Sequence, residues 1–359
     1  MHIAIVCRAL GAPGAVASIA LRQARELTRH ARITLVSDSF PEGIEWAEQV
    51  RVPMPDLHAL RRFRHVPDEV LFGRGVNRVL RSLQDVDFIL AHAHSAAHIG
   101  ARGLGIPFGF FVHGDVFDRP KGTYDARLTA FYEWIAPRAY RSANVVFALA
   151  PYLADKIRER GARHVEIIPN GIDLEDLGVR WPQPPHSNAF KLLTVGRLSI
   201  EKGVDHLLAA CRLLTIDYML TIIGSGPLEQ QLRESAPDRV RFLGTVPRHE
   251  LGALYQQHDV FVTATLNEAF ALVVLEALAC GLPVIGTNID ALRAVIRDGE
   301  NGLLVPPRDP RALADAIERL ARDEPLREKL GSNAPASVAQ YSWLEIGDRI
   351  AEVIRRMIA

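Results

Sequence analysis

The chain has 359 residues, 48% of them apolar, and its 42 Lys and Arg balance 42 Asp and Glu; that length suits two domains, and a net charge of zero gives no case for nucleic acid or another polyanion as partner. Three cysteines, Cys7, Cys211 and Cys280, stand far apart without CxxC spacing, which fits buried reduced thiols in a cytoplasmic protein. The apolar part of the N-terminal stretch is too short for a secretory signal, and no apolar run is long enough to cross a bilayer.

In chain order, short β-branched runs alternate with amphipathic helical patterns. The first half predicts strands over 3–6, 33–37, 88–91, 108–112, 145–148 and 165–168, with helices over 15–29, 126–141 and 152–161. Between them, Arg61, Arg62, Arg64, Arg74, Arg78 and Arg81 alternate with Phe63, Leu71, Phe72 and Val79; this basic 61–81 stretch suits a solvated helical face or a peripheral contact with the inner membrane surface. A Pro-rich run from Trp181 to Asn188 reads as part of a linker over 176–190. The second half repeats the scheme, with strands over 192–195, 220–223, 240–243, 260–264, 284–286 and 302–305 and a last helix over 343–357. Such alternation predicts an α/β chain of two Rossmann-like, doubly wound parallel-sheet domains, over 1–175 and 191–342, facing each other across a cleft. Ligands of open α/β sheets bind beyond the carboxyl ends of the strands, so the residues that follow strands carry the functional argument.

Four such clusters stand out. After the strand over 192–195 comes a loop with Arg197 and Lys202 between Gly196 and Gly203, two cations suited to a diphosphate or to a solvated surface pair. After 220–223 come Gly224, Gly226 and Pro227, which permit either close approach of a ligand to the backbone or a tight strand-to-helix turn. After 260–264 come Glu268, Phe270, Ala271, Leu272 and, in an apolar helix, Glu276. An acid in that setting needs a donor, which ribose hydroxyls or backbone amides both supply. After 108–112 comes His113, followed by Gly114, suited to a polar ligand or to a turn. Gly14, in the turn after the first strand, is placed to approach a phosphate, although the turn is not GxGxxG. His92, His94 and His98 lack a cysteine or acid that would complete a ligand set, so no metal is expected.

Taken in order, these clusters resemble the retaining group 1 glycosyltransferases (family 4). The resemblance rests on Gly196-Arg197 with Lys202-Gly203, Gly224-Ser225-Gly226-Pro227, Glu268 and Glu276 seven residues apart, Asn301 to Val305, Pro169-Asn170-Gly171-Ile172-Asp173, and His113-Gly114. It implies the glycosyltransferase B (GT-B) architecture, with helix 343–359 completing the first domain, and transfer of a sugar from a UDP- or GDP-sugar with retention. It further implies that Arg197 and Lys202 hold the donor diphosphate, that Glu268 and His113 meet the donor sugar, that Glu276 binds the ribose, and that backbone at Phe270, Ala271 and Leu272 meets the donor. The donor is then a substrate, no cofactor is needed, and the acceptor is a glycan, a lipid-linked molecule or a small molecule. The sequence departs from the pattern at Ala269 and Ala271, where the family has glycines, and at Asp290-Ala291-Leu292, where it has a glycine pair. An epimerase or phosphorylase of similar fold, and a non-catalytic sugar-nucleotide-binding protein, are the rival readings.

Overall fold

A computed structural model describes residues 1–12, 14–54, 65–92, 94, 96–114, 126–173 and 189–359. The chain divides into two compact units, Met1–Gly171 with Trp343–Ala359, and Ile172–Ser342.

The first unit is built on seven parallel strands: β1 (His2–Val6), β2 (Arg32–Ser37), β3 (Glu48–Arg51), β4 (Phe88–Ala91), β5 (Phe108–Val112), β6 (Val145–Ala148) and β7 (Val165–Ile167), in the order β3-β2-β1-β4-β5-β6-β7. Helices on both faces bury the central strands, so β1, β4, β5 and β6 read as unbroken buried runs rather than as alternation. The exception is β3, Glu-Gln-Val-Arg, an exposed edge strand that has no apolar run and was not anticipated from the sequence. The C-terminal helix Trp343–Ile358 packs on helix Ala15–Leu27. It buries Trp343, Ile346, Ile350, Val353 and Ile354, the spacing of one apolar helical face; each such side chain contributes roughly 2 kcal/mol. The two helices approach so closely that a Cβ at Gly347 would lie 2.6 Å from Cβ of Glu26.

The basic stretch is only partly within the described residues, which omit Arg61, Arg62, Phe63 and Arg64. Along helix His65–Ser82, Arg74, Arg78 and Arg81 are exposed, whereas Phe72, Val76 and Leu80 are buried in the first unit's core. The linker expected over 176–190 lies outside the described residues up to 188, and Phe190 already belongs to a strand.

The second unit carries six parallel strands: β8 (Phe190–Val195), β9 (Tyr218–Ile223), β10 (Val240–Gly244), β11 (Val260–Thr263), β12 (Val284–Thr287) and β13 (Gly302–Val305), in the order β10-β9-β8-β11-β12-β13. Helix Pro310–Arg322 shows how sequence fixes local structure here. Asp309 accepts a hydrogen bond from the Ala312 amide at 2.9 Å and Pro310 opens the helix, a strong start signal. Leu313, Ala314, Ile317 and Leu320 then turn into the core.

Candidate functional site

In the second unit the strand order reverses between β8 and β11, and that is where open α/β sheets bind ligands. The loops leaving these two strands are tied together. Glu201 turns its backbone carbonyl to the β11 loop, accepting from Leu266 N at 2.7 Å and from Thr265 Oγ1 at 3.0 Å. Gly203 then passes so close that a Cβ there would lie 2.2 Å from the Ala264 carbonyl oxygen, and it does so at φ +60°, a conformation that favours glycine. The consequence falls on Lys202 and Glu268: the Lys202 ammonium donates directly to the Glu268 carboxylate. The Lys202 and Glu268 side chains keep 24% and 18% of their exposure, so the pair is open to a ligand on one side. The exposed Arg197 guanidinium, on the same β8 loop, has no ion-pair partner among the described residues.

Gly224 and Gly226 serve the neighbouring contact. A Cβ at Gly224 would lie 1.9 Å from the Gly196 carbonyl oxygen, and one at Gly226 2.3 Å from that of Leu198. The Leu198 amide donates to Ser225 O at 3.0 Å and the Leu228 amide to Leu198 O at 3.0 Å. These glycines thus bring the β8 and β9 loops into backbone contact and hold the Arg197 loop in place.

Helix Leu272–Ala279 starts at Ala271 without a side-chain cap, so its dipole favours an anion at that end, although the Leu272 amide already donates to Phe270 O at 3.0 Å. Just before it, the buried Phe270 ring lies 6.1 Å from that of Tyr341. Within the helix, Glu276 is buried and satisfied by protein groups: Tyr255 Oη–H donates to it at 3.1 Å, and Arg248 sits 3.1 Å away. Arg248 also lies 3.5 Å from Asp173. Burial pushes the Glu276 carboxyl above its ordinary range, while Arg248 pulls it back; Tyr255 is pushed well above its ordinary value, first by burial and then by Glu276.

In the first unit, His113 follows β5 and His92 follows β4, and the two strands pair. His92 Nδ1 and His113 Nε2 are hydrogen-bonded at 2.8 Å. His92 stacks on Phe111 at 5.6 Å and 4°, and Phe111 on Phe147 at 5.0 Å, which places the pair at the end of an aromatic row on one face of the sheet. Because β4 ends at Ala91, His94 diverges to the other face and meets Phe110 at 4.8 Å and Tyr132 at 5.6 Å. Burial lowers His113 to about 4 and His94 to about 3, and takes His92 well below the imidazole range. No cluster of His, Cys, Asp or Glu suited to a metal occurs among the described residues. Gly14 is exposed, with nothing within 4 Å of a Cβ built there. Asp38, after β2, accepts from the Ala9 amide and faces Arg8 at 3.7 Å, and Arg8 also pairs with Glu69 at 2.8 Å.

Two family models match the chain side by side, "Glycosyltransferase Family 4" over residues 16–176 and "Glycosyl transferases group 1" over residues 179–337. The chain is 29% identical to the phosphatidyl-myo-inositol mannosyltransferase of Mycobacterium leprae, over 98% of this chain and 96% of that one. It is 38% identical to the D-inositol 3-phosphate glycosyltransferase of Corynebacterium urealyticum, over 45% of this chain and 42% of that one. This is a group 1 glycosyltransferase. Its fold is GT-B. A sucrose-phosphate synthase from Thermosynechococcus elongatus superimposes with a TM-score of 0.84 at 22% identity, over 99% of this chain and 98% of that one. The HepE protein of Anabaena in complex with UDP-glucose does so with a TM-score of 0.77 at 20% identity, over 99% and 100%.

Within this glycosyltransferase, the residues named from the sequence separate into groups. Lys202 and Glu268 are in contact, and Arg197 shares the loop of Lys202. Buried Glu276 belongs to a separate network with Asp173, the buried Tyr255 and the exposed Arg248. His113 and Gly14 belong to the first unit. Sequence reasoning missed Arg248 as a site residue, although it follows β10 by four residues and opens helix Arg248–Gln256; the rule of looking just after strands reaches it. It also missed the His92–His113 pair, whose members lie 21 residues apart and meet only because β4 and β5 are neighbours.

Proposed function

We propose that this glycosyltransferase transfers a sugar from a UDP- or GDP-sugar with retention of anomeric configuration and without a divalent metal. The observation that carries the reading is the Lys202–Glu268 contact at the β8/β11 switch point, beside the exposed Arg197. As the glycosidic bond breaks, negative charge grows on the nucleoside diphosphate. Arg197 and Lys202, with the uncapped N-terminus of helix Leu272–Ala279, supply fixed positive potential for that charge. Lys202 then stands between phosphate and Glu268, which orients the sugar and balances the cation that develops on it. The acceptor hydroxyl attacks from the leaving-group face and passes its proton to a donor phosphate oxygen. Glu276 takes the ribose hydroxyls, exchanging bonds now made by Arg248 and Tyr255, and His113 contacts the sugar. UDP-glucose, named in the HepE complex, is the first donor to test. Inositol-bearing acceptors, named in two relatives, are the first acceptors.

A thermal-shift series with UDP-, GDP- and ADP-sugars in EDTA tests the donor class, because a ligand selective for the native state raises Tm. We expect one uridine or guanosine sugar to stabilise the protein; stabilisation that appears only with added divalent metal overturns the metal-free reading. NMR of the product gives the anomeric outcome, and inversion sinks retention. Incubation without acceptor separates transfer from epimerisation.

The first unit offers one feature for a membrane partner. Trp134 is 45% exposed, with the Arg138 guanidinium 4.6 Å above its ring, and Arg74, Arg78 and Arg81 are exposed on helix His65–Ser82. An exposed aromatic ring paired with a cation, on a unit with further exposed cations, suits an anionic lipid surface. No helix among the described residues is long and apolar enough to cross a membrane. Sedimentation with phosphatidylglycerol vesicles, lost in Trp134→Ala and absent with phosphatidylcholine, is the expected result; equal sedimentation with both lipids contradicts it.

A further inference from the structure

The two histidines at the ends of β4 and β5 act as one unit. His92 is only 6% exposed, and its ring lies flat against Phe111. It meets His113 through one nitrogen of each ring, at 2.8 Å. The remaining nitrogens, His92 Nε2 and His113 Nδ1, are buried and have no hydrogen-bond partner among the described residues. Burial keeps both rings neutral at neutral pH, so a single proton occupies the shared bond and the two tautomers are locked together.

Only two arrangements satisfy that constraint. In one, both rings carry their proton on Nδ1: His92 Nδ1–H donates to His113 Nε2, and the unpaired N–H is that of His113. In the other, both carry it on Nε2: His113 Nε2–H donates to His92 Nδ1, and the unpaired N–H is that of His92. An N–H left unpaired inside a protein costs more than an unused lone pair. His113 is at the strand's open end and only partly buried, whereas His92 is enclosed. The Nδ1 and Nε2 atoms left over are both closed to solvent, so the choice falls on the rings: the first arrangement puts the unpaired donor on the less enclosed of the two, the one at the strand's open end.

We infer that His92 is a positioning residue: by donating from Nδ1 to His113 Nε2, it pins the His113 proton on Nδ1 and presents that N–H to a hydroxyl oxygen of the transferred sugar. The inference deepens the reading of His113 as a sugar contact and rests on it. Exchange of the proton arrangement would turn that donor into an acceptor, so His92 decides which way the sugar hydroxyl is read. His94 packs on Phe110, on the other face of β5.

Two-bond proton–nitrogen NMR of the imidazoles, assigned with His92→Phe and His113→Ala, reads the tautomers directly. Both rings in the Nδ1–H form is the expected result, and both in the Nε2–H form overturns the inference. His92→Asn keeps a donor near the Nδ1 position, whereas His92→Phe keeps the stack and removes the donor. With the donor sugar that the thermal-shift series identifies, His92→Phe is expected to lower kcat/KM roughly tenfold, His92→Asn to recover most of that loss, and His92→Phe to have no further effect in a His113→Ala background. Additive losses, or equal activity of the Phe and Asn variants, make His92 merely structural. A His113→Ala enzyme that transfers sugar at the full rate removes instead the sugar contact itself, while the NMR result still decides the tautomer, so the two failures are told apart. Should His92→Phe not fold, the wild-type spectrum and His92→Asn carry the test.

Discussion

The two units wind their sheets alike, with the order reversing between β1 and β4 in one and between β8 and β11 in the other, yet the corresponding ends are furnished in opposite ways. In the second unit the loops are drawn together by glycines that leave no room for a Cβ, and they carry full charges: Arg197, and Lys202 against Glu268. In the first unit the loop after β1 has a glycine with open space before it, and the ends of β4 and β5 carry imidazoles that burial keeps uncharged. Topology therefore locates a site without choosing its chemistry. The charges after β8 and β11 suit a diphosphate, and the neutral imidazoles after β4 and β5 suit hydroxyl groups.

The largest test of this contrast is Lys202→Ala. It removes a cation from the charged end and leaves Glu268 without its ammonium partner. Turnover at saturating donor is expected to fall by about two to three orders of magnitude, measured as initial rate of sugar transfer. A full rate would erase the distinction between the two ends.

Acidification probes the neutral imidazoles. The unfolded chain takes up protons on these histidines near pH 6.5, while the folded protein resists until about 4 at His113 and about 3 at His94. Stability is therefore complete above the unfolded value and is lost as pH falls below it, levelling only once the folded rings titrate. Because His94 and His113 keep some contact with solvent, we expect up to about 2 kcal/mol from each. Denaturant unfolding between pH 7 and 4 should show a shallower loss in His94→Phe than in the wild type; parallel curves would contradict the burial of that charge.

Gly203→Ala tests the stitching of the charged end. A side chain at φ +60° and 2.2 Å from a backbone oxygen should cost about 2 kcal/mol, read as a fall in Tm of several degrees. Gly14→Ala is its counterpart in the first unit and the smallest effect. With no atom within 4 Å, it should leave Tm unchanged within about 1 °C, so any loss of donor affinity reports a ligand at that position. A substantial fall in Tm would show that Gly14 is held by the fold after all.

Most strands were legible because central parallel strands are buried on both faces and so appear as apolar runs; β3 was not, since Glu48, Gln49 and Arg51 face solvent at the edge. At the candidate site, the placement of Arg197, Lys202 and Glu268 on loops was legible because each follows a strand by a few residues. What could not be read was partnership. That Glu276 already holds Arg248 and Tyr255 depends on three elements meeting in space, and no spacing along the chain encodes it. The role of Gly224 and Gly226 was legible only as close approach; the structure identifies the approaching partner as the chain's own β8 loop.

The last helix, Trp343–Ile358, packs on Ala15–Leu27 and belongs to the first unit. During synthesis the whole second unit must leave the ribosome before the surface around Glu26, Arg29 and His30 can receive its cover. The half of the enzyme made first is therefore the half completed last, and a nascent chain halted before Trp343 would leave the seat of that helix uncovered, with the aggregation risk that such late-closing architectures share.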